Sequence, residues 1–240
     1  TLRRPPTTTL RSTRRQRQMC IRDSGLPGQS VAGGIEDVRT ALSFSPPHLS
    51  HYQMTLEPNT AFSARPPPLP ADDDAFAMQT ACAGLLREAR LANYEISAWS
   101  RPGSECRHNL NYWRYGDFLG IGAGAHGKLT IPSEQAVRRR IRLRPPRAWM
   151  DAAERGDALA EDRAVGISER IFEYFLNQLR LRDGVRKADF PGQTGARWQA
   201  VDERVALAVD RGLLEDHGDR LVATETGWRF VNEIQVLFLP

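Results

Sequence analysis

Hydrophobic and polar positions along the chain switch between helical and extended spacing. Ile35, Val38 and Leu42 recur at helical intervals behind Ser30, a residue type that caps helix N-termini. They predict a helix from Ser30 through Leu42, stopped by Pro46-Pro47. The stretch His48–Thr55 (HLSHYQMT) is mixed but largely apolar, as expected of a strand covered on both faces. Glu57-Pro58-Asn59-Thr60 reads as a loop and Arg65-Pro66-Pro67-Pro68 as a stiff connector. Asp72-Asp73-Asp74 sets acids where a helix dipole favours them. Met78, Cys82, Leu85, Leu86 and Ala89 then form the apolar stripe of that helix. Tyr94–Trp99 reads as a short strand, the stretch to about Arg114 as a polar loop, and Phe118–Ala125 (FLGIGAGA) as a buried, glycine-rich strand. Alternating helix and strand predicts β/α units on a parallel sheet, with too few units to close a barrel.

The pattern changes further on. Residues 132–165 read as an irregular connector with an arginine run, and a second domain starts near Ile167. Ile171, Phe175 and Leu179 stripe one helix, which Gly184 can end. Trp198, Val201, Val205 and Ala208 stripe another, which Gly212 can end. Leu213–Glu215 and Leu221–Ala223 flank a turn as a hairpin, and Thr226 caps a last helix through Leu237. Helices, a small hairpin and a further helix are the ingredients of a winged-helix-like α+β domain.

Composition sharpens the picture where it excludes classes. With 240 residues, 40% hydrophobic and 26% charged, the chain has ordinary globular composition, which excludes collagen, a coiled coil and wholesale disorder. No run of about 18 apolar residues exists to form a transmembrane segment, and the N-terminus lacks the apolar stretch of a secretory signal. Cys20, Cys82 and Cys106 stand 62 and 24 positions apart, which suits free thiols in a cytoplasmic setting and no disulfide scaffold. The net charge of +4 is uneven. Residues 1–24 hold seven Arg and one Asp, so the remaining 216 residues carry 26 basic and 28 acidic groups. From Ile167 to Pro240 there are 10 basic and 12 acidic residues, which speaks against a nucleic-acid partner even for a winged-helix shape. Residues 1–24 read as a disordered, low-complexity tail, and a chain that starts with Thr is expected to be a fragment of a longer protein.

Candidate chemistry is concentrated in a few places. Gly122-x-Gly124-x-x-Gly127 matches the spacing of a dinucleotide fingerprint, but the extended Lys128–Ile131 follows where that fingerprint needs a helix. The alternative is a strand whose small residues admit a backbone or a flat ligand. Cys106–Trp113 (CRHNLNYW) is the densest cluster, with a thiol, an imidazole, amides and two aromatics. One imidazole can ligate haem iron, zinc would need four ligands that no nearby pair completes, and a purely structural loop uses the same residues. His126 and Glu57 each follow an expected strand, where β/α folds place ligand contacts. His48 and His51 lie on opposite faces of theirs, and His217 sits in a turn. Arg138, Arg139, Arg140, Arg142, Arg144 and Arg147 either clamp propionates or phosphates or form a solvated charged face.

The segments GLPGQ (25–29), PPHLSHYQMTLEPNT (46–60), YEISAWSRPG (94–103), HNLNYW (108–113) and LGIGAGAHGK (119–128) resemble the C-terminal two-thirds of the HemW-like radical-SAM haem chaperones, a family similar to the oxygen-independent coproporphyrinogen III oxidases. The resemblance covers about residues 25–240. It implies an α/β fold, an incomplete TIM-type β/α barrel over 25–131, followed by the connector 132–165 and the winged-helix-like domain 166–240. It also implies a cytoplasmic protein that binds haem and delivers it to haem-accepting respiratory membrane proteins. In that family H-N-x-x-Tyr-Trp is associated with haem. This carries over to His108 as candidate axial ligand of the haem iron, supported by Asn109, Tyr112 and Trp113, with Gly122, Gly124, His126 and Glu57 as further cofactor contacts. The family's C-x-x-x-C-x-x-C motif, whose thiolates hold a [4Fe-4S] cluster that binds S-adenosylmethionine, has no match here. The cluster and S-adenosylmethionine are therefore expected in a full-length parent only, and this chain is expected to be inactive in radical chemistry, with open sheet edges that favour aggregation. The other function the resemblance implies is that of a coproporphyrinogen-oxidising enzyme. The match breaks off at Gly25, where MCIRDS replaces the apolar run of the family.

Overall fold

The computed structural model describes residues 20–240. They divide into a first unit ending at Ala89 and a second running from Arg90 to Pro240. The disordered-tail expectation for residues 1–19 lies outside the described residues.

In the first unit, β1 (Cys20–Ser24) pairs in parallel with β2 (His48–Gln53), from Cys20 opposite Leu49 to Ser24 opposite Gln53. Helix α1 (Val31–Ser43) makes the crossover. Placing Cys20–Ser24 in a structureless tail was therefore wrong. Its pattern misleads because Ile21 points outward, half exposed, while the polar Ser24 is buried and donates its hydroxyl to the Tyr52 carbonyl at 3.0 Å. Ser30 caps α1 as expected, accepting from the Gly33 amide at 3.1 Å. The loop after β2 contains a single turn of helix, α2 (Ala61–Ala64), which the sequence did not announce. Helix α3 (Asp72–Glu88) buries Met78, Cys82 and Leu86. It packs so tightly on α1 that a Cβ at Gly34 would sit 2.6 Å from the Met78 side chain.

The second unit opens with β3 (Ala92–Glu95) and β4 (Ala98–Ser100), an antiparallel hairpin where one strand was expected. The chain turns there because Asn93 Nδ2 donates to the Glu95 and Ala98 carbonyls at 2.6 and 3.1 Å, and the Ser97 amide donates to Glu95 Oε2 at 3.1 Å. Helix α4 (Arg107–Trp113) replaces the expected polar loop. The segment is poor in strong helix formers, so tertiary contacts must hold it in place.

Phe118–Ala125 is not a buried strand. Leu119 is 72% and Ile121 84% exposed. Gly122 and Gly124 adopt φ of +109° and +69°, which break any extended ladder. Only Phe118 bridges to Lys128, and Gly120 lies so close to the next strand that a Cβ would meet the His126 carbonyl at 2.5 Å.

Residues 132–165 are not an irregular connector. Strands β5 (His126–Ile131), β6 (Ala136–Arg142) and β7 (Leu159–Ala164) form an antiparallel sheet in that order, with α5 (Pro146–Glu154) between β6 and β7. The arginine run conceals a strand because its charges alternate. Arg138 and Arg140 share Asp162 of β7 at 2.7 and 3.1 Å, while Arg139 pairs with Glu173. The carboxyl of Asp162 is held below its usual range by hydrogen bonding to Arg138, with Arg140 adding to it.

The remaining chain builds an aromatic core. Helix α6 (Ile167–Gln178) leads to β8 (Val185–Arg186), α7 (Phe190–Thr194), α8 (Asp202–Asp210), β9 (Leu214–Asp216), β10 (Arg220–Ala223), α9 (Glu225–Arg229) and α10 (Val231–Val236). The expected hairpin is present as β9 and β10, which β8 joins to make three strands. Ile171, Phe175, Leu179, Val201, Val205 and Ala208 are buried together, as their spacing predicted. Two details differ. Helix α6 ends at Gln178, and Gly184 instead turns the chain at φ +73°, where a Cβ would run into the Leu221 carbonyl. The last cap is Thr224, accepting from the Gly227 amide at 2.9 Å, and the final helix is broken at Phe230.

Candidate functional site

Helix α4 sorts its motif by face. Residues four apart lie one above the other on a helix, so His108 pairs with Tyr112 and Asn109 with Trp113 on an adjacent face. His108 is exposed, and its ring meets that of Tyr112 edge-on with centroids 4.9 Å apart. Tyr112 in turn packs on Phe118 at 4.5 Å.

The other face is tied into the unit. Asn109 Nδ2 donates to the Tyr94 hydroxyl at 3.4 Å, and the Cys106 amide donates to the same oxygen at 3.3 Å. Asn109 also hydrogen-bonds the Glu95 carboxyl. Trp113 is half buried, with the Arg180 guanidinium 4.3 Å above its ring. Its indole N–H is buried and meets no acceptor among the described residues, a costly arrangement. The motif thus divides into an outward pair, His108 and Tyr112, and an anchoring pair, Asn109 and Trp113.

Glu95, only 1% exposed, lies in this anchor. Burial pushes its carboxyl up, against the Ser97 amide, Arg180 at 3.8 Å and Asn109, which favour the charged form. The raised affinity for a proton belongs to the folded state. Stability from this group is therefore fully present below the unfolded value of 4.5 and falls as pH rises through the folded value. Glu95→Gln is expected to be at least as stable as the wild type at pH 7, with its advantage shrinking as pH falls through the raised folded value towards 4.5 and constant below that. Urea unfolding across pH 4–8 checks this, and a variant less stable at pH 7 than at pH 4, relative to the wild type, would reverse the assignment.

A second polar network supports α4 from the β5 side. Lys128, its side chain 3% exposed, donates to the Tyr115 carbonyl at 2.8 Å and to Asp117 Oδ1 at 3.0 Å. Burial lowers the affinity of this ammonium for its proton, and Asp117 partly restores it. Burial raises the Asp117 carboxyl, but bonds from the Thr130 amide and hydroxyl, both 2.8 Å, and from Lys128 outweigh it and leave the group below its usual range. The Tyr115 hydroxyl donates to Glu173 at 2.6 Å, and burial with that carboxylate raises its affinity for its proton. Sequence reading missed this set. Its one signal is Lys128, a charge between the apolar positions of an extended run.

The remaining site residues fall elsewhere. Gly122 and Gly124 sit in the exposed loop before β5, where the Gly124 amide donates to the Leu143 carbonyl at 2.8 Å. His126 is the exposed first residue of β5. Strand β5, not a helix, follows the glycines, so no pyrophosphate cradle forms there. Beside the loop, Gly120, Gly122, Arg142 and Trp149 line a cleft of about 220 Å³. That is below the roughly 300–1,000 Å³ of typical small-molecule sites and too small to enclose a macrocycle. Glu57 belongs to the first unit, exposed and accepting from the Thr55 hydroxyl at 2.9 Å. Among the described residues no group of three or more His, Cys, Asp or Glu could hold a metal ion. No helix among them is long and apolar enough to cross a membrane.

The model of the HemN C-terminal domain family matches residues 168–230. Over 215 residues the chain is 41% identical to the heme chaperone HemW of Haemophilus influenzae, covering 90% of this chain and 55% of that protein. The Escherichia coli heme chaperone HemW is 40% identical, with 90% and 56% covered. That of Mycobacterium tuberculosis is 35% identical over 208 residues, with 85% and 50% covered. The chain therefore spans about half the length of the curated relatives it matches. Among solved structures, the radical SAM enzyme coproporphyrinogen III oxidase (HemN) from Escherichia coli superposes with a TM-score of 0.71 at 14% identity, over 91% of this chain and 54% of that one. That likeness shows a shared fold, in keeping with the mixed α/β content. Over 90% of its length the chain is similar to the C-terminal part of those heme chaperones, and its residues 168–230 match the HemN C-terminal domain family.

Proposed function

We propose that this chain is the C-terminal part of a haem chaperone, which takes up haem through helix α4 and passes it to haem-accepting respiratory membrane proteins from the cytoplasm. The observation that carries the reading is the 41% identity to a heme chaperone HemW over 90% of the chain. Haem is cargo here, and α4 suits it. The imidazole of His108 stands exposed with the edge of Tyr112 against it, so the iron can be approached from solvent while Tyr112 and Phe118 offer apolar surface to the ring. Asn109 and Trp113 serve by holding the helix. Gly122, Gly124 and His126, on and beside an exposed loop of the same unit, are the further contacts we assign to haem there, whereas Glu57 stands in the first unit as a separate candidate contact.

At the finer level, we read residues 25–131 as part of an incomplete β/α barrel and residues 166–240 as a winged-helix-like module for docking partners. The [4Fe-4S] cluster and S-adenosylmethionine belong to the full-length parent, because the three cysteines here are too widely spaced for its motif. In the parent they would supply radical chemistry, and no step of it is assigned to this chain.

Titrating the chain with haemin tests the reading. A saturable Soret shift at one haem per chain is the expected result, and a spectrum identical to free haemin would contradict it. The oxidase reading has the fold shared with HemN on its side. Anaerobic turnover of coproporphyrinogen III by the full-length protein would favour it over the chaperone.

A further inference from the structure

We infer a carboxylate-binding site, separate from the haem helix face, in the cleft at the end of α6. The cleft is about 280 Å³ and is lined by three arginines from three elements: Arg114 at the end of α4, Arg186 of β8 and Arg220 of β10. Two acids share the wall. Asp189 stands 3.8 Å from Arg186 and Asp183 stands 3.9 Å from Arg220. Both separations exceed the roughly 2.7–2.9 Å of a charge-assisted hydrogen bond, so neither guanidinium fork is saturated by its neighbour. Arg220 is instead oriented by its own Nη1, which donates to the Asp183 backbone carbonyl at 2.7 Å and leaves its other donors available. Arg114 has no carboxylate partner among the described residues. A second donor type is present. Gln178 is 4% exposed, yet its amide nitrogen reaches only Gln193 Oε1, at 3.5 Å, the limit of a hydrogen bond.

Charge fixes the ligand class. Three guanidiniums against two carboxylates leave one net positive charge, which a single carboxylate neutralises. A phosphate dianion would bring a second negative charge against Asp183 and Asp189. The planar fork of Arg114 fits the two oxygens of a carboxylate, and the buried Gln178 amide can donate to one of them. The volume lies just under the usual range of small-molecule sites, so the occupant is the headgroup of a small organic acid or the carboxyl end of a peptide.

The test uses the whole chain without haem, so it stands or falls separately from the chaperone reading. Arginine Nε–H resonances are followed by NMR while acetate, inorganic phosphate, a tripeptide with a free C-terminus and its amidated form are added. Acetate is expected to shift Arg114, Arg186 and Arg220 saturably. Arg114→Gln, a change at an exposed side chain, should weaken acetate binding roughly tenfold, the effect of losing one charge-assisted bond. Arg186→Gln serves as a second variant in the same direction. A free tripeptide binding tighter than both acetate and the amide assigns the site to chain termini, and equal binding of acetate and free tripeptide assigns it to small acids. The site is overturned if neither carboxylate gives a saturable shift, if both glutamine variants titrate like the wild type, or if phosphate binds more tightly than acetate.

Discussion

Phe175→Ala is expected to cost the second unit about 3–5 kcal/mol, the range for deleting a fully buried ring. Phe175 is completely buried and sits at the crossing of the aromatic core. Its ring stacks on Phe238 with centroids 3.7 Å apart and meets Tyr174 edge-on at 5.6 Å. Phe190 and Trp198 close the cluster at 5.9 and 6.1 Å. The surrounding rings are themselves held in a packed core, so most of the cavity should remain. At a denaturant slope of about 2 kcal/mol/M, the urea midpoint falls by roughly 2 M. Phe230→Ala is the comparison, since Phe230 is more than half exposed and its loss should stay within about 0.5 kcal/mol. Near-identical midpoints for the two variants would mean that the core is not where the packing puts it.

Lys128→Met is expected to cost about 1–3 kcal/mol, despite replacing a charged side chain by an apolar one of similar length. Removing a buried ammonium leaves the Tyr115 carbonyl without its donor and takes one of three bonds from the Asp117 carboxylate. The loss stays below that of a fully buried ion pair because the Asp117 side chain is 41% exposed and water screens it. Lys128→Met combined with Asp117→Asn should cost less than the sum of the two changes, since the pair is in direct contact. Strict additivity in a double-mutant cycle would show that the contact carries no energy.

Where the sequence was legible, one periodicity ran uninterrupted. The stripes of α1, α3, α6 and α8 and the β9–β10 hairpin all have apolar residues facing inward at regular spacing. It failed where polar side chains build the structure. Strand β6 is a row of arginines whose partners, Asp162 and Glu173, lie 20 to 35 positions away. The hairpin of β3 and β4 turns on Asn93 and on the buried Glu95, and α4 is held by Tyr94, Glu95 and Arg180 rather than by its own propensity. Strand β1 presents Ile21 to solvent and buries Ser24, the reverse of the pattern that marks a half-buried strand. At the site, residue types alone pointed to the cluster from Cys106 to Trp113. They could not divide it into an outward pair and an anchoring pair, because that division needs the helix. The exposed loop at Leu119 and Ile121 was misread for a related reason, since apolar residues separated by glycines look like a core strand until the positive φ values of Gly122 and Gly124 are known.

The most direct test of the haem assignment compares His108→Ala with His217→Ala in a haemin titration of the chain. Both imidazoles are exposed and neither supports the core, so both variants should fold. The account predicts that the Soret shift is lost, or its affinity reduced by at least tenfold, in His108→Ala and kept in His217→Ala. An unchanged titration in His108→Ala would contradict it and remove helix α4 as the seat of the iron ligand.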